Sequence, residues 1–155
     1  MNRGIQLEIP NNWGSHLGDI LLPFNISHFD WYIGGEEAYQ DTGGGNFAPL
    51  FQGEIYGMKG HDLSEILELS RYYIIFANFK AYPIGEFIED VLTYEEFLKS
   101  HCQLVLLVID SSYVTVYCKD NKILDDLYMN AISKGFEKVD YITDENDFRT
   151  RLSVW

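Results

Sequence analysis

Apolar and polar positions alternate along Gly4-Ile5-Gln6-Leu7-Glu8-Ile9, the period of a half-buried strand, and Pro10 closes it. Asn11 or Asn12 can cap the next element. Trp13, Leu17, Ile20, Leu21 and Phe24 then fall on one helical stripe. Gly14 and Gly18 weaken that helix but share a face where a neighbouring backbone can come close. Phe29 to Ile33 reads as a second strand, broken by Gly34-Gly35. Residues 34–53 have the least regular pattern, and their glycines predict a long mobile loop with a short strand near Glu54-Ile55-Tyr56.

The second half is more regular. Asp62-Leu63-Ser64-Glu65 has capping-box spacing ahead of a short helix. Tyr72 to Ala77 and Leu104 to Ile109 are almost continuously apolar, as strands covered on both faces are. Thr93-Tyr94-Glu95-Glu96 is a capping box opening a helix that ends near His101. Asp110-Ser111-Ser112 supplies a turn, and Tyr113 to Cys118 alternates, which predicts a β-hairpin at about 104–118. A longer helix runs from an Asp120 cap to Gly135, with a strand over Phe136 to Ile142 after it. The alternation of Phe148, Thr150, Leu152 and Val154 predicts a C-terminal strand, with a short helix as the alternative. The order of elements points to an α+β fold, a mixed sheet with helices packed on it, forming a single globular domain over 1–155. A doubly wound parallel sheet is the runner-up. The hairpin, and the lack of a glycine fingerprint after the first strand, weigh against it.

Charge changes the picture more than composition does. Against 24 acidic residues stand 11 Lys and Arg, a net charge of −13, and the excess runs through both halves of the chain. A field of that sign repels phosphate backbones and anionic lipid, so neither nucleic acid nor membrane is an expected partner, whereas a basic protein is attracted. The start of the chain has no signal-peptide pattern and two cysteines make no disulfide framework, so the expected setting is cytoplasmic.

No motif assembles a reaction centre. Gly43-Gly44-Gly45 lacks the lysine and adjoining helix of a phosphate loop. The four histidines and two cysteines do not fall at metal-ligand spacing, and Cys102 and Cys118 sit at the edges of apolar strands, where cysteine acts as a small hydrophobe. No catalytic residue, metal or cofactor is therefore assigned, and the reading is of a protein that is not an enzyme. The candidate binding residues are Trp31, Tyr32, Glu36 and Glu37, beside the glycine-rich stretch, and Arg149 and Arg151, which share one side of an extended segment and can grip a carboxylate or phosphate. Trp155 is either a core anchor or an exposed contact.

The strings RGIQLEIP, DWYIGGEE, EIYGMKG, FANFKAYP, TYEEFLKSHCQLVLLVIDSSYVTVYCKD and YITDENDFRTRLSVW carry a resemblance nearly from end to end. By them the chain resembles a small bacterial family of proteins of unknown function. The resemblance implies a bacterial, cytoplasmic protein and brings no activity or site residue with it. Two functions remain open. The first is an acidic protein-interaction domain, inhibitor-like or regulatory, monomeric or homodimeric, using residues 31–41 and the C-terminal segment. The second is a small-ligand binder or enzyme with a pocket under residues 34–53.

Overall fold

A computed structural model describes residues 1–52 and 56–154. The elements are β1 (Asn2–Glu8), α1 (His16–Ile20), a 3-10 turn (Ile26–His28), β2 (Phe29–Gly43), β3 (Asn46–Pro49), β4 (Gly57–Lys59), α2 (Gly60–Leu69), β5 (Tyr72–Pro83), α3 (Tyr94–Lys99), β6 (Leu104–Ile109), β7 (Tyr113–Cys118), α4 (Asn121–Ser133) and β8 (Glu137–Thr143). One sheet takes the order β3-β2-β5-β6-β7-β1-β8, with β4 also paired to β2. The fold is α+β, and no helix among the described residues is long and apolar enough to cross a membrane.

The apolar strands β5 and β6 lie inside the sheet, as their composition predicts, and β6–β7 is the expected hairpin. Every described pairing is antiparallel, so the sheet is not mixed. The helix α4 between two strands suggests a parallel pair, and β7 and β8 do run the same way. The N-terminal strand β1 lies between them and pairs antiparallel with each.

The stretch 34–53 also departs from expectation. β2 continues for 15 residues, past Gly34-Gly35, and turns back into β3. Gly43 faces Asn46, leaving Gly44 and Gly45 as a two-residue turn with φ of 62° and 81°. Two adjacent positive φ values are the geometry whose twist suits a hairpin, and glycine adopts it without steric cost. The glycine cluster is thus a turn in a ladder. The short strand expected near residues 54–56 lies mostly outside the described residues, as does Trp155.

Both faces of the sheet carry packed segments. On the first, α1, α2 and α4 bury Leu17, Ile20, Leu63, Leu67, Leu124 and Leu127 against Ile5, Leu7, Trp31, Phe79, Leu106 and Val116. Gly18 permits the α1–α2 approach, because a Cβ there would lie 2.4 Å from the Leu67 carbonyl oxygen. On the second face, α3, the residues leading into it and the C-terminal segment bury Val91, Phe97, Leu152 and Val154 against Tyr82, Val105, Leu107 and Tyr117. Thr93 caps α3 as predicted, accepting from the Glu96 amide while Glu96 accepts from the Leu92 amide. Among its described residues the C-terminal segment is neither strand nor helix. The Leu152 amide bonds to the Leu92 carbonyl, and the Arg149 guanidinium donates to the Ser153 carbonyl, which curls the chain away from any ladder.

Candidate functional site

Strand register fixes what the second face presents. Side chains opposite one another across an antiparallel ladder share a face. One row holds Tyr32 opposite Lys80, then Val105, Tyr117, Gly4 and Ile142. The next holds Gly34, Asn78, Leu107, Thr115, Gln6 and Asp140. The first row is roofed by α3 and the C-terminal segment, whereas Gln6 and Asp140 in the second are exposed.

The roofed row contains a fully buried charged side chain. Lys80 is completely buried. Its ammonium donates to the Asp90 carboxylate and, at 2.7 Å, to the Leu152 carbonyl, and it lies 5.8 Å from the centre of the Tyr32 ring. Asn78, two residues earlier on the same side of β5, donates to the same Asp90 oxygen at 3.3 Å. Its side-chain amide oxygen is buried and accepts no hydrogen bond. Burial lowers the Lys80 pKa below its ordinary value, and Asp90 opposes that shift. Burial pushes the Tyr32 hydroxyl up to about 12, with the Asp90 charge adding to it. The cluster therefore holds one carboxylate among three donors or near-donors under an apolar roof. It locks the 84–93 segment and the C-terminal segment onto the sheet.

The expected binding residues are divided by this geometry. Trp31 and Tyr32 are consecutive on β2 and point to opposite faces. Trp31 is fully buried in the helix-covered core, where its indole donates to the Ile26 carbonyl at 3.0 Å, so it is a core anchor and presents no surface. Tyr32 borders the Lys80 cluster and meets Tyr56 edge-on at 5.4 Å. Glu36 is half-buried, and Glu37 is exposed opposite Phe76. Arg149 and Arg151 both line a hollow of about 450 Å³ in the C-terminal turn, but only Arg151 points its charge outward, since Arg149 is engaged with Ser153. The two groups of candidates do not form one site. Sequence reasoning misses Lys80, Asn78 and Asp90, although two polar residues at period two within FANFKAYP mark one face of that strand.

A family model described as Protein of unknown function (DUF2691) matches residues 2–153. The chain belongs to this family. An uncharacterized protein of Bacillus subtilis (strain 168), YncE, is 44% identical over 154 residues, covering 99% of this chain and 100% of that protein. No solved structure matches.

Both thiols of this DUF2691 chain are inward-facing. Cys102 and Cys118 are free and buried, with their sulfurs directed at the Leu104 and Asp120 carbonyls. Burial pushes their thiols up to about 12 and about 11, so neither ionises at neutral pH. His16 bonds to Asn12 and its pKa is lowered by burial. His61, Asp62 and Glu65 bring three potential metal-ligating atoms within 4.8 Å on the exposed first turn of α2, where His61 and Glu65 already face each other at 3.2 Å. Residues 34–49 form a hairpin arm, and the hollows beside β1, β4, β7 and the C-terminal turn are lined by other segments.

Proposed function

We propose that this protein is a non-enzymatic, acidic interaction domain that works in the cytoplasm and binds the basic surface of a partner protein. The observation that carries this reading is the disposition of the acids. Fewer than half of the 24 carboxylates take part in ion pairs among the described residues, and the others mostly face solvent. Such a field raises the encounter rate with a cationic protein and disfavours nucleic acid and anionic lipid. Tyr32, Glu36 and Glu37 belong to the surface this reading uses, and Arg151 lies outside it.

The test is affinity capture with the full chain from a Bacillus subtilis lysate lacking its own relative, at about 20 mM and about 500 mM salt. A basic protein retained only at low salt, and binding the purified chain directly with an affinity that falls as salt rises, is the expected result. Retention indifferent to salt, or no direct binding by any recovered protein, refutes it.

A further inference from the structure

The second sheet face is only half roofed. Beyond the Asn78 row, the register sets Glu37 opposite Phe76 on one side and Ile109, Tyr113 and Glu8 opposite one another on the other. An aliphatic and an aromatic side chain thus occupy the middle of a sheet face that no helix covers. Tyr113 is 56% exposed and Ile109 is half-buried. Beside them is a shallow hollow of about 250 Å³, lined by Gln6, Glu8, Tyr113, Thr115 and Lys138. Around this patch stand Glu37, Asp110 and Asp140, all exposed and without a cationic partner among the described residues. Lys138 is held by Glu8 at 3.0 Å, so the local cation is already neutralised.

Resting on the interaction reading above, we infer that this half-face docks an extended segment of the partner, apolar at its centre and cationic at both ends. The central side chains sit on Tyr113 and Ile109, with the end charges reaching Glu37 and Asp140. The dimensions agree. From β2 to β8 there are five inter-strand steps, about 24 Å at ~4.8 Å each, which an extended chain spans in about seven residues. Alternate side chains of such a segment point down to the sheet, which selects apolar residues at every second inner position. The tyrosine offers a flat ring to a leucine or a guanidinium at little entropic cost.

The probe is a fluorescein-labelled octapeptide with arginine at both ends and leucine at alternate inner positions. An isomer of the same composition carries its arginines side by side. Anisotropy at about 20 mM salt measures both against the full chain. The patterned peptide is expected to bind at least about fivefold more tightly than its isomer. Tyr113→Ala and Asp140→Lys should each weaken it about tenfold, and Glu68→Lys on the outer side of α2 less than about twofold. All three positions are exposed, and circular dichroism verifies that each variant folds. Equal binding of the isomer, or equal loss from Glu68→Lys and Asp140→Lys, overturns this surface and leaves the basic-partner reading standing. A captured basic partner whose affinity is unmoved by Tyr113→Ala and Asp140→Lys does the same. If capture yields no basic partner, the broader reading falls with it.

Discussion

Replacing Asp90 with alanine strands a cation inside the protein. Lys80 has no exposed surface, and its ammonium is held by the Asp90 carboxylate and the Leu152 carbonyl. Removing one partner of a buried pair typically costs about 3–5 kcal/mol, because the remaining charge is uncompensated. The lower end applies here, since the Asp90 side chain is 31% exposed and the Leu152 carbonyl remains. Asp90→Ala should therefore destabilise by about 3 kcal/mol at neutral pH. Lys80→Met keeps the chain volume and removes the charge, while Asp90 can turn to water, so it should cost less than about 1 kcal/mol. The double variant should match Lys80→Met, giving a coupling of roughly 3 kcal/mol. The pH dependence has a definite sign. The folded protein lowers the Lys80 pKa, so between that value and the ordinary one near 10.5 the unfolded chain binds more protons, and stability rises with pH. Without Asp90, which raises the pKa, that window extends to lower pH, and the deficit of Asp90→Ala shrinks as pH increases. Urea unfolding at several pH values, with Lys80→Met subtracted to remove other titrations, reads this directly. A deficit that stays constant with pH, or a Lys80→Met variant as unstable as Asp90→Ala, refutes the account.

The packing sets three further outcomes. Gly18→Ala forces a Cβ to within 2.4 Å of the Leu67 carbonyl, so α1 and α2 must separate, and a loss of about 2–3 kcal/mol is expected in urea unfolding. Thr93→Ala removes the oxygen that accepts the Glu96 amide and should cost about 1 kcal/mol, whereas Thr93→Ser should restore most of it. Cys102 and Cys118 ionise near 12 and 11 when folded and near 9 when unfolded, so the folded chain keeps protons the unfolded chain loses. Stability should accordingly fall as pH rises above about 9, and both thiols should resist a thiol-specific reagent until urea unfolds the chain; rapid labelling of the native protein contradicts this.

Local chemistry makes the helices legible. The Thr93 box, the Asp120 cap and the apolar stripe of α4 are each complete within a few residues, and all three are found where the pattern puts them. Gly18 behaves as a helix glycine at a close approach, whereas Gly14 lies before α1, which is shorter than the apolar stripe predicts. Gly14 exchanges backbone hydrogen bonds with Tyr72, and Gly18 meets the Leu67 carbonyl. The 34–53 stretch misleads because glycines serve both disorder and tight turns. The sign of a turn is the adjacent pair Gly44-Gly45, across which the register sets Gly43 opposite Asn46 and Asp41 opposite Phe47. The C-terminal alternation misleads in the opposite direction. Leu152 and Val154 are indeed buried, but their burial comes from docking on the roofed face, with no ladder formed beside them among the described residues.

The Lys80 cluster shows why the candidate site is harder to read than the fold. Along β5, Ala77, Phe79 and Ala81 face the helices, while Asn78, Lys80 and Tyr82 face the other way. Alternation of that kind ordinarily means a solvated outer face. What buries it is supplied by Val91, Phe97, Leu152 and Val154, all outside β5 and the last two far along the chain. No periodicity within β5 can report on a roof built elsewhere. The same reasoning separates the two halves of the face. Where the C-terminal segment reaches, polar side chains are enclosed, and Asp90 accepts from both Lys80 and Asn78. Where it does not reach, Tyr113 and its acidic neighbours remain open to a partner. The C-terminal segment, by packing on one part of the sheet only, therefore divides a single face into a structural lock and an accessible surface.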